Sequence, residues 1–208
     1  MSMYYEITHP LVKHKLTVLR NNVTQHKQFR ELVSEITTLL GYEAMKNLDI
    51  EPLKVVTPLA GTVGAKLRSD IVIIPILRAG MGMLEGMLSL VPNARVGFVG
   101  IYPDHVTSQP VSYAEKLPQG LTSPHYFIID PMLATGNSIV AAIDTLKENN
   151  CRPITAITLI SAPEGVKRVE ETHPDVDIYT ASIDECLDEN NYIVPGLGNA
   201  GDRLFGTE

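Results

Sequence analysis

The sequence predicts an α/β fold: a mostly parallel sheet flanked by helices, with a β-arm and a small C-terminal hood. Three observations lead there. From Ile71 onward, short runs rich in β-formers alternate with stretches of helical periodicity, and that alternation implies right-handed crossovers between parallel strands. The strand-like runs are apolar nearly throughout, as strands covered on both faces are. Residues 103–120 and 186–208 break the pattern, the first by turn-forming residues and the second by glycines.

The elements follow in order. Pro10 suits the first turn of a helix reaching Arg20, with Leu11, Lys15 and Leu19 along one face; a surface helix with solvated charges is the plainer reading. Thr24 is a good N-cap for a helix to about Asn47, whose stripe is Phe29, Leu32, Val33, Ile36, Leu39 and Leu40. Val55–Pro58 and Thr62–Leu67 read as a hairpin around Ala60-Gly61, outside the main sheet. Then come strand Ile71–Leu77, helix Met81–Leu90 and strand Ala94–Tyr102. The excursion 103–120, with turns at Pro103-Asp104-His105 and Ser108-Gln109-Pro110, reads as an arm or lid that returns through a strand at Val111–Leu117. Strand 126–130, helix 138–149, strand Ile154–Ala162, helix Glu164–Thr172 and strand Val176–Ile183 complete the core. Absence of repeats and linkers predicts one domain over 1–208, with its core at about 70–185.

Composition excludes several classes. Of 208 residues, 44% are hydrophobic and 20% charged, as in ordinary globular proteins. The longest apolar run, Ile71–Leu77, is far too short to span a bilayer. The opening Met-Ser-Met-Tyr-Tyr-Glu lacks a basic and apolar leader pattern, which predicts a cytoplasmic protein. A net charge of −7 argues against nucleic acid as a partner. An anionic substrate would therefore need a local cluster of donors. Cys151 and Cys186 lack metal-ligand spacing.

Three stretches carry chemistry. In Tyr126-Phe-Ile-Ile-Asp-Pro-Met-Leu-Ala-Thr-Gly-Asn-Ser138, an acidic residue ends a strand and a loop leads to a helix whose N-cap would be Ser138. Free N–H groups and the helix dipole there favour a phosphate. Asp130 can accept hydrogen bonds from vicinal ribose hydroxyls, while Pro131 forbids a further ladder bond. Asn137 tolerates a left-handed conformation. Without a lysine before Ser138 this is no Walker A loop; an ordinary capped strand-to-helix turn is the rival reading. In Arg78-Ala-Gly-Met-Gly82, glycines permit close approach and Arg78 offers a fork to phosphate oxygens. Gly80, Gly82 and Gly86 also approximate a dinucleotide fingerprint with Asp104 downstream, although Glu85 occupies the third glycine's place. Finally, Tyr192-Ile-Val-Pro-Gly-Leu-Gly-Asn-Ala-Gly-Asp-Arg203 is either an exposed loop or main chain arranged to read a base. An N–H, C=O, N–H run of main chain matches a base edge of acceptor, donor and acceptor without charge.

These stretches, in this order, resemble the uracil phosphoribosyltransferase family. The likeness extends from His9-Pro-Leu-x-x-His-Lys-Leu through Ala162-Pro-Glu-Gly165 and Thr180-Ala-Ser-Ile-Asp184 to Thr207. The resemblance implies a phosphoribosyltransferase-like fold and transfer of the phosphoribosyl group of phosphoribosyl pyrophosphate (PRPP) to uracil, giving UMP and pyrophosphate. It implies catalytic roles for Arg78 and Asp130. PRPP would be bound by those two with Pro131, Met132, Leu133, Ala134, Thr135, Gly136, Asn137, Ser138 and Asn199. Uracil would lie on Ile193, Gly198, Asn199 and Ala200, making 186–208 the base-binding segment. It further implies Mg²⁺ carried mainly by the pyrophosphate without dedicated protein ligands, GTP as an activator in some members, and a homodimer or homotetramer in which the His9–Arg20 segment aids subunit packing. A cis peptide at Arg78-Ala79 is also implied. Two positions depart from the family pattern: Pro103 stands where arginine is usual, and Asn199 where aspartate is. Both fall at expected ligand contacts, which motivates a second reading as a weakened, uracil- or UMP-binding regulator.

Overall fold

The computed structural model describes residues 3–103 and 110–207. The turn expected at Asp104-His105 and most of that at Ser108-Gln109 lie outside the described residues, as does Asp104 as a ribose ligand. The main sheet contains β1 (Tyr4–Glu6), β4 (Ile71–Leu77), β5 (Arg95–Val96), β6 (Phe98–Pro103), β7 (Pro110–Lys116), β8 (His125–Ile129), β9 (Met132–Leu133), β10 (Ile154–Ser161) and β11 (Asp177–Ile183). Its order is β1-β11-β10-β8-β4-β6-β7, parallel except for the antiparallel β6–β7 pair. The helices are α1 (Pro10–Arg20), α2 (His26–Ala44), α3 (Met81–Leu90), α4 (Asn137–Glu148), α5 (Pro163–Thr172) and α6 (Ala200–Phe205).

Strand alternation divides the core between the two faces. Ile71, Ile73, Phe127, Ile129 and Ile157 pack with α1, α2, α3 and α6. Val72, Ile74, Ile76, Ile128 and Ala156 pack with α4 and α5. The stripe expected on α2 is the buried one: Phe29, Val33, Ile36 and Leu40 are fully covered, each contributing about 1.5–3 kcal/mol of burial. On α1 the inward face is Val12, Leu16 and Leu19, and Leu11 points out; an i, i+4 pattern counted from Leu11 misses the phase by one residue. β2 (Ile50–Val56) and β3 (Gly61–Leu67) form the expected separate hairpin. Among the described residues no helix is long and apolar enough to cross a membrane.

Other differences from expectation are local. α2 begins after Gln25 without a side-chain cap, and Thr24 Oγ1 donates instead to Val18 O at 2.5 Å. The strand expected over 94–102 is split at Gly97, whose N–H donates to Ile73 O, and β6 shifts register against β7 between Gly100 and Ile101. β1 is too short to give a pattern in sequence, yet it pairs with β11 at the sheet edge.

Candidate active site

All the parallel strands end at one edge, and the order of the sheet reverses between β4 and β8. From β4 the chain proceeds through α3 to β6 on one side; from β8 it proceeds through α4, β10 and α5 to β11 on the other. Ligands of open α/β sheets bind in the crevice outside the carboxyl ends at such a switch point. Pro75 of β4 lies opposite Ile129 of β8, so Arg78 and Asp130 leave neighbouring strands just beyond the same rung. A Cβ built on Gly80 would lie 2.5 Å from Ile129 O and 2.7 Å from Ile76 O. The Arg78 loop is thus folded against the residue preceding Asp130. The non-proline cis peptide precedes Arg78, at Leu77-Arg78, one bond earlier than the resemblance implies.

The loop after β8 departs from the expectation at two points. Pro131 donates nothing, but its carbonyl accepts from Leu159 and Ile160 N–H, and pairing resumes as β9 beside Ile160 and Ser161. Proline removes a donor and keeps its acceptor. The residue preceding α4 is Gly136 at φ +83°, so Gly136 takes the left-handed conformation and Ser138 lies inside the first turn. Val140 N–H to Gly136 O is an early bond of the helix ladder, and the N–H groups of Ser138 and Ile139 precede it. They face a cavity of about 70 Å³ lined by Met132–Ile139. The loop is backed by α5: a Cβ on Gly165 would lie 2.3 Å from Ala134 O and 2.8 Å from Leu133 O.

Asp130, just past the end of β8, is only partly covered. Burial pushes its carboxyl up to about 7, and the Met132 N–H offsets this only in part. Such a carboxyl sits at the boundary between acceptor and donor near neutral pH, suited to hydroxyl groups placed against it.

After β11 comes the hood, with β12 (Cys186–Leu187) antiparallel to β13 (Ile193–Val194), then α6. It is tied to both walls of the crevice. Leu204 of α6 fills the space over Gly82 at the start of α3, where a Cβ would lie 2.6 Å from its methyl group. Leu187 N–H donates to Glu164 Oε1 at the start of α5 at 3.2 Å. Ile193 and Ala200 are buried, while Gly198 and Asn199 are exposed. Asn199 Oδ1 accepts from Asp202 N–H at 3.2 Å and caps α6. The structure therefore places the Arg78 loop beside Asp130 and the hood against the starts of α3 and α5, with one cavity at Met132–Ile139 and a separate one of about 390 Å³ between Arg20 and the 195–203 segment. Pro103 ends β6 opposite Pro110.

The glycine pattern that suggested a dinucleotide has another use. Gly80 abuts Ile129 O, Gly82 lies under Leu204, and Gly86 faces Ser34 O, where a Cβ would be at 2.3 Å. All three serve packing around α3, and the Gly82 side of its first turn is covered by α6. Sequence reading missed Arg20, Glu164 and Asp184 as parts of the hood's attachment; the signals were Glu164 within the Ala162–Gly165 likeness and Asp184 within the Thr180–Asp184 likeness.

Comparison with known proteins agrees with this architecture. The model of the family described as "Uracil phosphoribosyltransferase" matches residues 6–207. A protein of Streptococcus suis named uracil phosphoribosyltransferase is 52% identical over 209 residues, covering 100% of both chains. The solved structure of the AQ2163 protein from Aquifex aeolicus superimposes with a TM-score of 0.92 at 39% identity, covering 99% of each chain. An adenine phosphoribosyltransferase from Trypanosoma brucei shares the fold alone, with a TM-score of 0.59 at 11% identity over 90% of this chain and 87% of that one. With the Arg78 loop, the 131–138 loop and the hood at the switch-point edge of the sheet, and with a match across nearly its whole length, the chain belongs to the uracil phosphoribosyltransferase family.

Proposed function

We propose that this protein transfers the phosphoribosyl group of PRPP to uracil, forming UMP and pyrophosphate, as a cytoplasmic salvage enzyme within one domain. The observation that supports this best is that two anion-compatible loops and a main-chain-rich hood gather at the carboxyl edge of the sheet, beside its switch point. In this reading the 5′-phosphate rests on residues 131–138, whose early-helix N–H groups need no charged partner. Asp130 holds the ribose hydroxyls, and Arg78 meets the pyrophosphate. Uracil lies on the main chain of Ile193 and Gly198–Ala200, with Asn199 also facing PRPP. The C1′–pyrophosphate bond breaks with oxocarbenium character while uracil N1 bonds to C1′ from the opposite face. The chain's contribution is positioning and stabilisation of leaving-group charge.

Asp130 is the carboxylate of the 130–138 segment, a donor set too small to cage a hard cation and suited to one carried on pyrophosphate oxygens. Mg²⁺ bound that way would neutralise charge on the leaving group. Activation by GTP is tested by adding the nucleotide to the same assay.

A homodimer or homotetramer is part of the proposal. The β2–β3 hairpin presents exposed Ile50, Leu53, Val56, Leu59 and Val63, and a two-stranded hairpin is marginal without a partner surface. Light scattering of Val56→Glu with Leu59→Glu, expected to give smaller species, checks this.

The decisive assay is formation of labelled UMP from uracil and PRPP with Mg²⁺. Turnover supports the proposal, and no product at saturating substrates ends it. Run beside it, Pro103→Arg and Asn199→Asp are expected to raise the rate roughly tens-fold by restoring charged contacts of about 2 kcal/mol or more. Ligand binding without turnover would favour the regulatory reading instead.

A further inference from the structure

Arg20, the last residue of α1, reaches the hood from the opposite end of the sequence. Its guanidinium forks onto Asp184, with Nη1 2.6 Å from Oδ2 and Nη2 2.5 Å from Oδ1. The same Nη1 donates to Gly196 O at 2.7 Å, and Gly196 N–H donates to Asp184 Oδ2 at 2.9 Å. One ion pair therefore fixes both polar groups of Gly196. Ser182 Oγ donates to Asp184 Oδ1 at 2.9 Å, which completes the carboxylate's shell. The Asp184 side chain is 2% exposed and that of Arg20 22%, so the pair is largely shielded from water.

Gly196 tolerates no substitute at this point. Its φ is +61°, and a Cβ would lie 2.0 Å from Ile193 O. Next along the chain, Leu197 O accepts from Arg203 Nη1 at 2.8 Å, while Arg203 Nη2 donates to Asn21 O at 2.7 Å. The two residues between Pro195 and Gly198 are thus tied by side chains to the end of α1. Directly beyond them lies the tract that has to present an N–H, C=O, N–H edge to a flat ring. Such recognition depends on main-chain position to within a fraction of an ångström, and a strand ladder does not hold this tract.

We propose that Arg20 and Asp184 are positioning residues for the pyrimidine: by clamping Gly196 they set the main-chain edge that reads the base, without touching it. The proposal rests on the assignment of Ile193 and Gly198–Ala200 to uracil. The clamp bears on uracil and leaves the PRPP loops untouched, since its contacts lie within α1, the end of β11 and the hood.

The test is steady-state kinetics of Arg20→Ala, Arg20→Lys and Asp184→Asn, with Gly198→Ala as a probe of the base site itself. Gly198 has φ +79°, and a Cβ there would meet Arg203 Cδ at an ordinary 3.8 Å, so alanine strains the reading tract without a clash. Expected results are a tenfold or greater rise in KM for uracil in Arg20→Ala and Asp184→Asn, a severalfold rise in Arg20→Lys, and KM for PRPP within twofold of wild type. Lysine keeps the charge and loses the fork, so that variant carries the test if the alanine variant does not fold. Unchanged uracil KM in the clamp variants, or an equal rise for both substrates, beside a raised uracil KM in Gly198→Ala, overturns the clamp and leaves the base site standing. Unchanged uracil KM in all four overturns the base-site assignment together with the clamp.

Discussion

The 130–138 loop and the hood lie at the same carboxyl edge of the sheet and are built in opposite ways. Residues 130–138 form a strand end, a turn and a helix start, and their form follows from local rules: a β-run, a proline, a left-handed glycine and unpaired N–H groups. The hood has little regular structure and takes its shape from partners outside it: Arg20 far away in sequence, Glu164 at the start of α5, and Asp184 just before the hood. The contrast extends to the two carboxyls. Asp130 is partly covered and has no cation paired with it, and desolvation raises it to about 7. Asp184 also suffers burial, yet the Arg20 fork, Ser182 and the Gly196 N–H hold it below the usual carboxylate range. A locally built site can leave a charge uncompensated for its ligand, whereas a segment assembled from a distance needs its charge paired.

The largest expected effect breaks the hood. Asp184→Ala leaves the Arg20 guanidinium largely buried without its partner and should lower stability at pH 7 by about 3–5 kcal/mol, read from urea denaturation. Because the folded-state pKa lies below the unfolded value of 3.8, the wild type holds this advantage above that value. It loses the advantage as pH falls through the folded pKa. Equal acid sensitivity of wild type and variant would show that the pair contributes nothing.

Asp130 should respond with the opposite sign. Its folded-state pKa is raised, so the ionised form opposes folding, and stability present below about pH 4 is lost as pH rises towards 7. Asp130→Asn should therefore stabilise the free protein by about 2–4 kcal/mol above pH 7 and by nothing below pH 4. Activity should fall about a hundredfold or more. Denaturation curves at several pH values, beside the UMP assay, check both.

Gly165→Ala tests the local design. Its Cβ would meet Ala134 O at 2.3 Å, so the loop must shift, at about 1–3 kcal/mol of overpacking. KM for PRPP should rise and KM for uracil stay unchanged, the mirror image of the Arg20 variants. The smallest effect is at Asn199. Alanine there removes the cap of α6 and should cost about 1 kcal/mol, while Asn199→Asp keeps an acceptor and should leave the melting temperature unchanged.

Much of this was legible in the chain. The α2 stripe, β4, α3 and the parallel core follow from periodicity, and the 130–138 loop from residue order. Boundaries drifted where backbone groups did the capping that Thr24 and Ser138 suggested, because a side chain able to cap is no guarantee that the turn needs it. β1 and β9 gave no signal, since strands of two or three residues exist only through the neighbour that pairs with them. Asp130 could be read as a ligand-facing acid, but its raised pKa could not, because desolvation belongs to the surroundings.

The sequence by itself determined the kind of sheet, the order of its elements and the two loops that suit phosphates, since those rest on contacts between near neighbours. Tertiary structure alone decided that both loops meet at the reversal between β4 and β8, and that an arginine from the first helix secures the hood. Pairings across more than 160 positions, as between Arg20 and Asp184, leave no periodic trace in a chain. They exist only once the sheet has placed its carboxyl edge beneath them.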